Sequence, residues 1–350
     1  MRRMEDISAH MDSMERTPKK ILDTLYEKAA EAQAHILLTD TIDPTTGEPD
    51  QRIHDAVTLI TQKGLREPTL LKPDSFAAMS SEERERLVDI VLEARQGKPD
   101  APTREEAAAL LGGTNYLAAA MVRAGLADGY VGGNISTTAD VIRPALKVIG
   151  GEQTPENKEG FVSDFFIMTR GSEQLFFVGC GFNPKPTVEQ LAQMGVAAAR
   201  KAQALGIEPR VAFLSFSTRG SADHEEAQRV RAAAQLAHDS APDLAIEPAE
   251  MQFDAAYDEN VGTRKAPDSP VAGHANILVF PDLNSGNLAY KLAERMGGFT
   301  ATGPLVQGFR APANDLSRGA SATDIANVVA YTGFLAWEKQ QQQAAEQATG

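Results

Sequence analysis

Chemistry concentrates between Gly303 and Asp324, GPLVQGFRAPANDLSRGASATD. There Asn314, Asp315, Ser317 and Arg318 read as one polar turn, punctuated by Pro312 and Gly319, between two apolar segments. A hydroxyl beside a guanidinium, with the carboxylate of Asp324 seven residues after Ser317, supplies a hydrogen-bond donor, an anion clamp and a proton acceptor in a short span. Few structural turns need all three, so this turn is the first candidate site.

Other segments have chemical readings with plainer alternatives beside them. SFSTRGSADH (Ser215 to His224) follows a strand and could hold phosphate through backbone N–H groups and Arg219, although a loop that caps the next helix is the plainer reading. PDLNSGN (Pro281 to Asn287) offers helix N-terminal amides with Ser285 and Asn287, either an anion nest or a tight turn rich in cap formers. Arg143 lies on a helix with Pro144 in mid-pattern and Arg295 near a helix end before two glycines; either could instead satisfy carbonyls at a C-terminus, as basic residues there usually do. Cys180, the only cysteine, lies between two glycines at a strand end; it reads as a small buried hydrophobe near the site rather than a nucleophile. The six histidines are scattered without HxxxH or HExxH spacing, so no metal site is expected. Neither a GxGxxG after a first strand nor a GxxxxGK[ST] occurs, so dinucleotide and P-loop signatures are missing.

The elements that must position these residues alternate between strands and helices. The spacing predicts a helix over 21–34, a buried strand over 35–39 and a polar loop over 40–50. Helices follow over 51–64, 80–96 (with a capping box at SSEERERL), 104–111 and 116–125, with strands over 67–71 and 129–133. The second half predicts a hairpin of strands 160–169 and 175–180, a helix over 187–205, strands 210–216 and 276–280, and helices over 223–241 and up to Met296. A last helix spans 323–343 before a frayed Gln-rich tail. Such βαβ rhythm implies an α/β protein with mixed sheets and with chemistry in the loops beyond the carboxyl ends of strands.

Composition limits the partners. The 350 residues, 42% hydrophobic and 23% charged, can bury a large core, and their length suits two domains or one large α/β unit. A net charge of −14 argues against nucleic acid or anionic membrane as partner, so anionic substrates must be held by a few placed arginines. One cysteine allows no intramolecular disulfide, the basic N-terminus has no apolar stretch behind it, and no run of 18 apolar residues occurs. The chain reads as untargeted and cytoplasmic.

STTADVIRPAL, GFNPKPTVEQLA, SFSTRGSADHEE, MQFDAA, KAPDSPVAGHANILVFPDLNSGN and GPLVQGFRAPANDLSRGASATDI stand in order and together resemble the phosphate acetyltransferases (phosphotransacetylases) of the phosphate acetyl/butyryltransferase family. The resemblance covers residues 35–335. It implies a two-domain α/β fold like that of isocitrate and isopropylmalate dehydrogenases, with mixed sheets and an interdomain active-site cleft. Domain I would comprise 1–155 plus 306–350, and domain II 156–305. It further implies a homodimer that interconverts acetyl-CoA plus phosphate with acetyl phosphate plus coenzyme A, by direct attack in a ternary complex. Coenzyme A and acetyl-CoA enter as substrates, and no metal or tightly bound cofactor is expected.

Residue by residue, the resemblance makes Asp324 the base for the coenzyme A thiol, Ser317 a donor to the tetrahedral centre and Arg318 the holder of the phosphoryl group. Arg95, Arg143, Arg295, Thr137 and Asn314 fall among its substrate-binding positions, with Cys180 and Ser285 near the site. The chain departs from the family pattern at Gly179, where an acidic residue is usual, and at Ser136–Thr137, where a His-Ser pair is usual. Alternatives within the same resemblance are a butyryl- or propionyl-preferring transferase, or a non-catalytic acyl-CoA-sensing dimerisation module.

Overall fold

The computed structural model describes residues 21–43 and 46–349; the N-terminal residues read above for targeting lie outside these. Strands among the described residues are, in chain order, β1 (Ile36–Leu38), β2 (Thr69–Leu70), β3 (Gly129–Gly132), β4 (Ser163–Arg170), β5 (Glu173–Val178), β6 (Arg210–Leu214), β7 (Ala245–Met251), β8 (Ile277–Val279), β9 (Thr300–Gln307) and β10 (Ala313–Asp315). They form two sheets. The first is parallel throughout in the order β10-β3-β1-β2, with β1 and β3 buried along their whole length, as apolar runs without alternation require. The second runs β7-β6-β8-β5-β4-β9; its core is parallel, and β4 pairs antiparallel with both β5 and β9. The hairpin expected from sequence is the β4–β5 pair, and the mixed sheet follows from it.

Helix Ala322–Thr349 joins the two halves. It packs on helices Ile21–Ala32 and Gln51–Gln62, and Gly333 permits the close approach, since a Cβ there would sit 3.1 Å from Ala29 Cβ. Its buried face places Tyr331 edge-on against Phe165 of β4, ring centroids 5.7 Å apart, so one apolar cluster reaches from the first sheet into the second. The chain itself crosses between β9 and β10, and Asn314 fastens that crossing. Its side-chain oxygen accepts from Val306 N (2.8 Å) and its amide donates to Thr332 Oγ1 (2.9 Å).

Several elements differ from the sequence reading for physical reasons. Asn314 and Asp315 belong to a buried strand, not to the polar turn, which is confined to Ser317–Gly319. Strand β7, AIEPAEM, carries Pro248 and two glutamates that obscure its pattern; Glu247 and Glu250 are buried only because arginines neutralise them. The Gln-rich end does not break at 343, since Ala, Glu and Gln are good helix formers and the helix continues to Thr349. The helix carrying Arg143 stops being α at Pro144 and continues as a π turn, Ala145–Ile149, because Pro144 offers no N–H to the ladder. Among the described residues no helix is long and apolar enough to cross a membrane.

Candidate active site

The loops after β1, β3 and β10 leave the same edge of the parallel sheet and are cross-linked by two side chains. Asp40, in the left-handed region (φ +54), accepts from Gly133 N (2.9 Å), Ser136 N (3.1 Å) and Ser136 Oγ (2.7 Å). It thereby fixes the loop after β3. Gly133 (φ +104) meets the Asp315 carboxyl so closely that a Cβ would lie 2.3 Å from Oδ1, which fixes the same loop against β10. Thr39 completes the arrangement by donating to Asn115 Oδ1 (2.6 Å) at the start of helix Thr114–Arg123.

Arg52 is the second cross-link, and sequence reading passed over it. Its guanidinium, gripped by Asp50 (2.6 Å), donates to the carbonyls of Asn134, Arg318 and Ala320, each at 3.1 Å. One planar fork thus holds the loop after β1, the loop after β3 and the Ser317–Arg318 turn in a fixed relation. The only sequence signal was an arginine two residues after a helix-capping aspartate. Arg52→Met should lower kcat by about ten- to a hundredfold, the scale of a roughly 1 Å misplacement, with circular dichroism unchanged; an unaltered kcat would show that the turn needs no such staple.

Ser317 and Arg318 are exposed on that turn, and the Arg318 guanidinium makes no hydrogen bond or ion pair among the described residues. Ser317 Oγ accepts only a long bond from Gly319 N (3.3 Å). Asp324 opens the last helix, where its Oδ2 accepts from Ser321 N (2.9 Å) and Ser321 Oγ (2.8 Å) in a capping box. So the carboxylate already has a structural task.

Arg143 lines a cavity of about 470 Å³ with Asp40, Tyr116, Ser136, Asp140 and Lys147. The uncapped N-terminus of helix Thr114–Arg123 opens on it, adding N–H groups to two cations. That is a reasonable seat for an anion. Arg95 is not free: it pairs with Asp100, which also holds Lys147 (2.8 Å), so it reaches the cavity only through that shared carboxylate. Thr137 caps the Arg143 helix through Asp140, Oγ1 to Oδ2 2.7 Å.

The remaining candidates stand apart from this edge. Asn314 is fully buried with both ends of its amide used, which suits a bracket between strands rather than a substrate contact. Arg295 is exposed at the far end of helix Leu283–Arg295, beside Glu294 (3.4 Å). Ser285 donates to Asp282 O (2.8 Å) and lines a separate cavity of about 650 Å³ at the ends of β6 and β8. Cys180 is buried, and desolvation, helped by the charge of Asp164, pushes its thiol well above the ordinary range, as an inert cysteine requires.

Residues 20–333 match the model of the phosphate acetyl/butaryl transferase family. The chain belongs to that family. As a phosphate acetyl/butaryl transferase family member it is an acyltransferase. It is 44% identical over 254 residues to a phosphate acetyltransferase of Bacillus subtilis, covering 72% of this chain and 76% of that protein. A phosphate acetyltransferase of Thermoanaerobacterium thermosaccharolyticum is 40% identical over 332 residues, covering 90% and 99%. Among solved structures, a phosphotransacetylase from Streptococcus pyogenes superposes with TM-score 0.78 at 36% identity, and the EutD phosphotransacetylase from Staphylococcus aureus with 0.76 at 33%; each covers 90% of this chain and 98% of the other.

Within this phosphate acetyl/butaryl transferase, two sequence features receive structural reasons. Gly179 adopts φ +84, and a Cβ would fall 2.6 Å from Met194 Cε, so an acidic side chain there would meet both strain and a packed methionine. Arg219 is committed to Glu247 (2.8 Å) and Asp268, which leaves the 215–224 loop a helix cap rather than a phosphate holder. Glu250 anchors the same loop. Burial would raise its carboxyl, but Arg231, Ser217 Oγ and Gly220 N hold it at about 2.

Proposed function

We propose that this enzyme transfers an acetyl group between coenzyme A and phosphate, with Ser317, Arg318 and Asp324 as its catalytic residues. The single observation that supports the reading most is an exposed, unpaired Arg318 beside Ser317 on a stapled loop of a protein whose net charge is −14. Relatives named phosphate acetyltransferase over most of the chain support the acetyl group.

In the direction of thioester synthesis the coenzyme A sulfur attacks the acetyl carbon, its proton passes to Asp324, and the carbon–oxygen bond to phosphate breaks. The proton leaves on the released phosphate. Free thiol has a pKa of about 8.5, so a carboxylate acceptor raises the usable thiolate at neutral pH. Ser317 donates to the oxygen of the tetrahedral centre. Arg318 holds the phosphoryl oxygens, and Arg143 with Lys147 suits the anionic end of coenzyme A. Rates with acetyl-CoA and butyryl-CoA test the acyl group: acetyl-CoA is expected to give the higher kcat/KM, and the reverse order would transfer the assignment to the butyryl side of the family.

In this reading residues 1–155 with 306–350 form one domain and 156–305 another, as in isocitrate and isopropylmalate dehydrogenases, and the three stapled loops face the cleft between them. The second domain carries the dimer contact. Leu288 and Leu292 on helix Leu283–Arg295 and Met296 at its C-cap, spaced four residues apart, are 62, 55 and 82% exposed, an apolar face suited to a second copy. Sedimentation should give twice the chain mass of 37.5 kDa, and Leu288→Glu with Leu292→Glu should halve it. An unchanged mass in the double variant would place the interface elsewhere.

A further inference from the structure

Asp315 is a buried carboxyl with no role in the chemistry above. It is 1% exposed at the end of β10, two residues before Ser317, and its Oδ1 has no hydrogen-bond partner. A buried carboxylate oxygen left unpaired is costly, whereas a protonated carboxyl tolerates the same place with far less penalty. Its surroundings favour the neutral form. Asp40 accepts from the Gly133 N–H (2.9 Å), and Asp315 Oδ1 comes so near the same residue that a Cβ there would lie 2.3 Å from it, so two acidic side chains meet at one glycine.

We propose that Asp315 is a positioning residue whose neutral form keeps the Ser317–Arg318 turn and the Gly133–Thr137 loop in their working arrangement. Were it ionised, its charge would repel that of Asp40 beside the same glycine, and the loops that Asp40 and Asp315 hold would separate. The proposal rests on the acetyltransferase reading of this site. Burial pushes the Asp315 carboxyl up to about 7; bonds from Thr138 and Leu316 N–H oppose the rise, and the charges of Asp40 and Asp164 add to it. Ionisation therefore falls within the working pH range.

The titratable groups facing Asp315 are Asp40, Asp164 on β4 and Tyr130 on β3; the tyrosine is raised by burial above any relevant pH. Asp164 is itself raised to about 6, by burial against bonds from Gly181, Cys180 and Phe182 N–H. Helix Thr138–Pro144 contributes the Thr138 hydroxyl, with its Asp140 and Arg143 exposed.

The test compares wild type with Asp315→Asn, a neutral mimic of equal size, from about pH 5.5 to about 9. Wild-type kcat should fall about tenfold per pH unit well above neutrality, with KM for both substrates steady; the variant should lack this fall and stay within about threefold of wild type at the acid end. An identical alkaline fall in both proteins overturns the proposal. Should the variant not fold, the wild-type profile decides alone, a flat kcat above neutrality being the contrary result. A second readout needs no substrate. The folded chain holds the Asp315 proton more tightly than the unfolded chain, so this contribution is present below pH 3.8 and lost as pH rises through about 7. Wild-type Tm should therefore fall relative to the variant across that window. Parallel Tm curves would overturn the proposal even if the assigned reaction were wrong.

Discussion

Arg318→Gln should lower kcat by about a hundred- to a thousandfold, the loss typical of one charge-assisted donor at a developing oxyanion or phosphoryl group. The folded protein should be unaffected. The Arg318 carbonyl accepts from Arg52 at 3.1 Å, while its guanidinium makes no hydrogen bond or ion pair among the described residues. Melting temperature is thus expected to stay at the wild-type value while turnover collapses. Arg318→Lys should recover part of the loss, because a point charge remains but the planar two-donor fork is gone. Wild-type turnover in the Gln variant would remove Arg318 from the chemistry.

Asp324→Asn separates two tasks carried by one side chain. The amide oxygen can still accept from Ser321 N and Oγ, so the cap of helix Ala322–Thr349 should survive. A proton acceptor does not survive, and kcat should fall by about 10² to 10⁴. The complementary variant is Ser321→Ala, which breaks the cap and should cost about 1 kcal/mol of stability with kcat almost unchanged. If both variants lowered kcat alike, the carboxylate would be acting through the helix start and not through the thiol proton.

The order of strands and helices was legible because apolar runs and capping boxes are local signals. HILLT became β1, SSEERERL capped its helix as expected, and RGSEQ turned the hairpin. What stayed hidden depends on distant partners. Strand β7 looks too charged to be buried until Arg219 and Arg231 are brought to Glu247 and Glu250. Asn314 and Asp315 look like turn residues until Val306, Thr332 and Gly133 surround them.

The candidate site was legible in its exposed residues and opaque in its support. Ser317, Arg318 and Asp324 are polar and fall within eight residues, so spacing alone marked them as candidates. Arg52 acts from 266 residues away in sequence, through backbone carbonyls that no sequence pattern marks. Arg95 and Arg143 share an arginine's chemistry but differ in place: Asp100 occupies the first, and the second faces an open cavity. Such differences arise from which carboxylate the fold delivers, not from the residue's own neighbours.

Acetyl phosphate and coenzyme A are mixed with the purified protein in metal-free buffer, and thioester formation is followed with the loss of free thiol. Wild type is expected to form stoichiometric acetyl-CoA and phosphate, and Arg318→Gln to suppress both. Binding of coenzyme A without any thioester product would contradict the acetyltransferase reading.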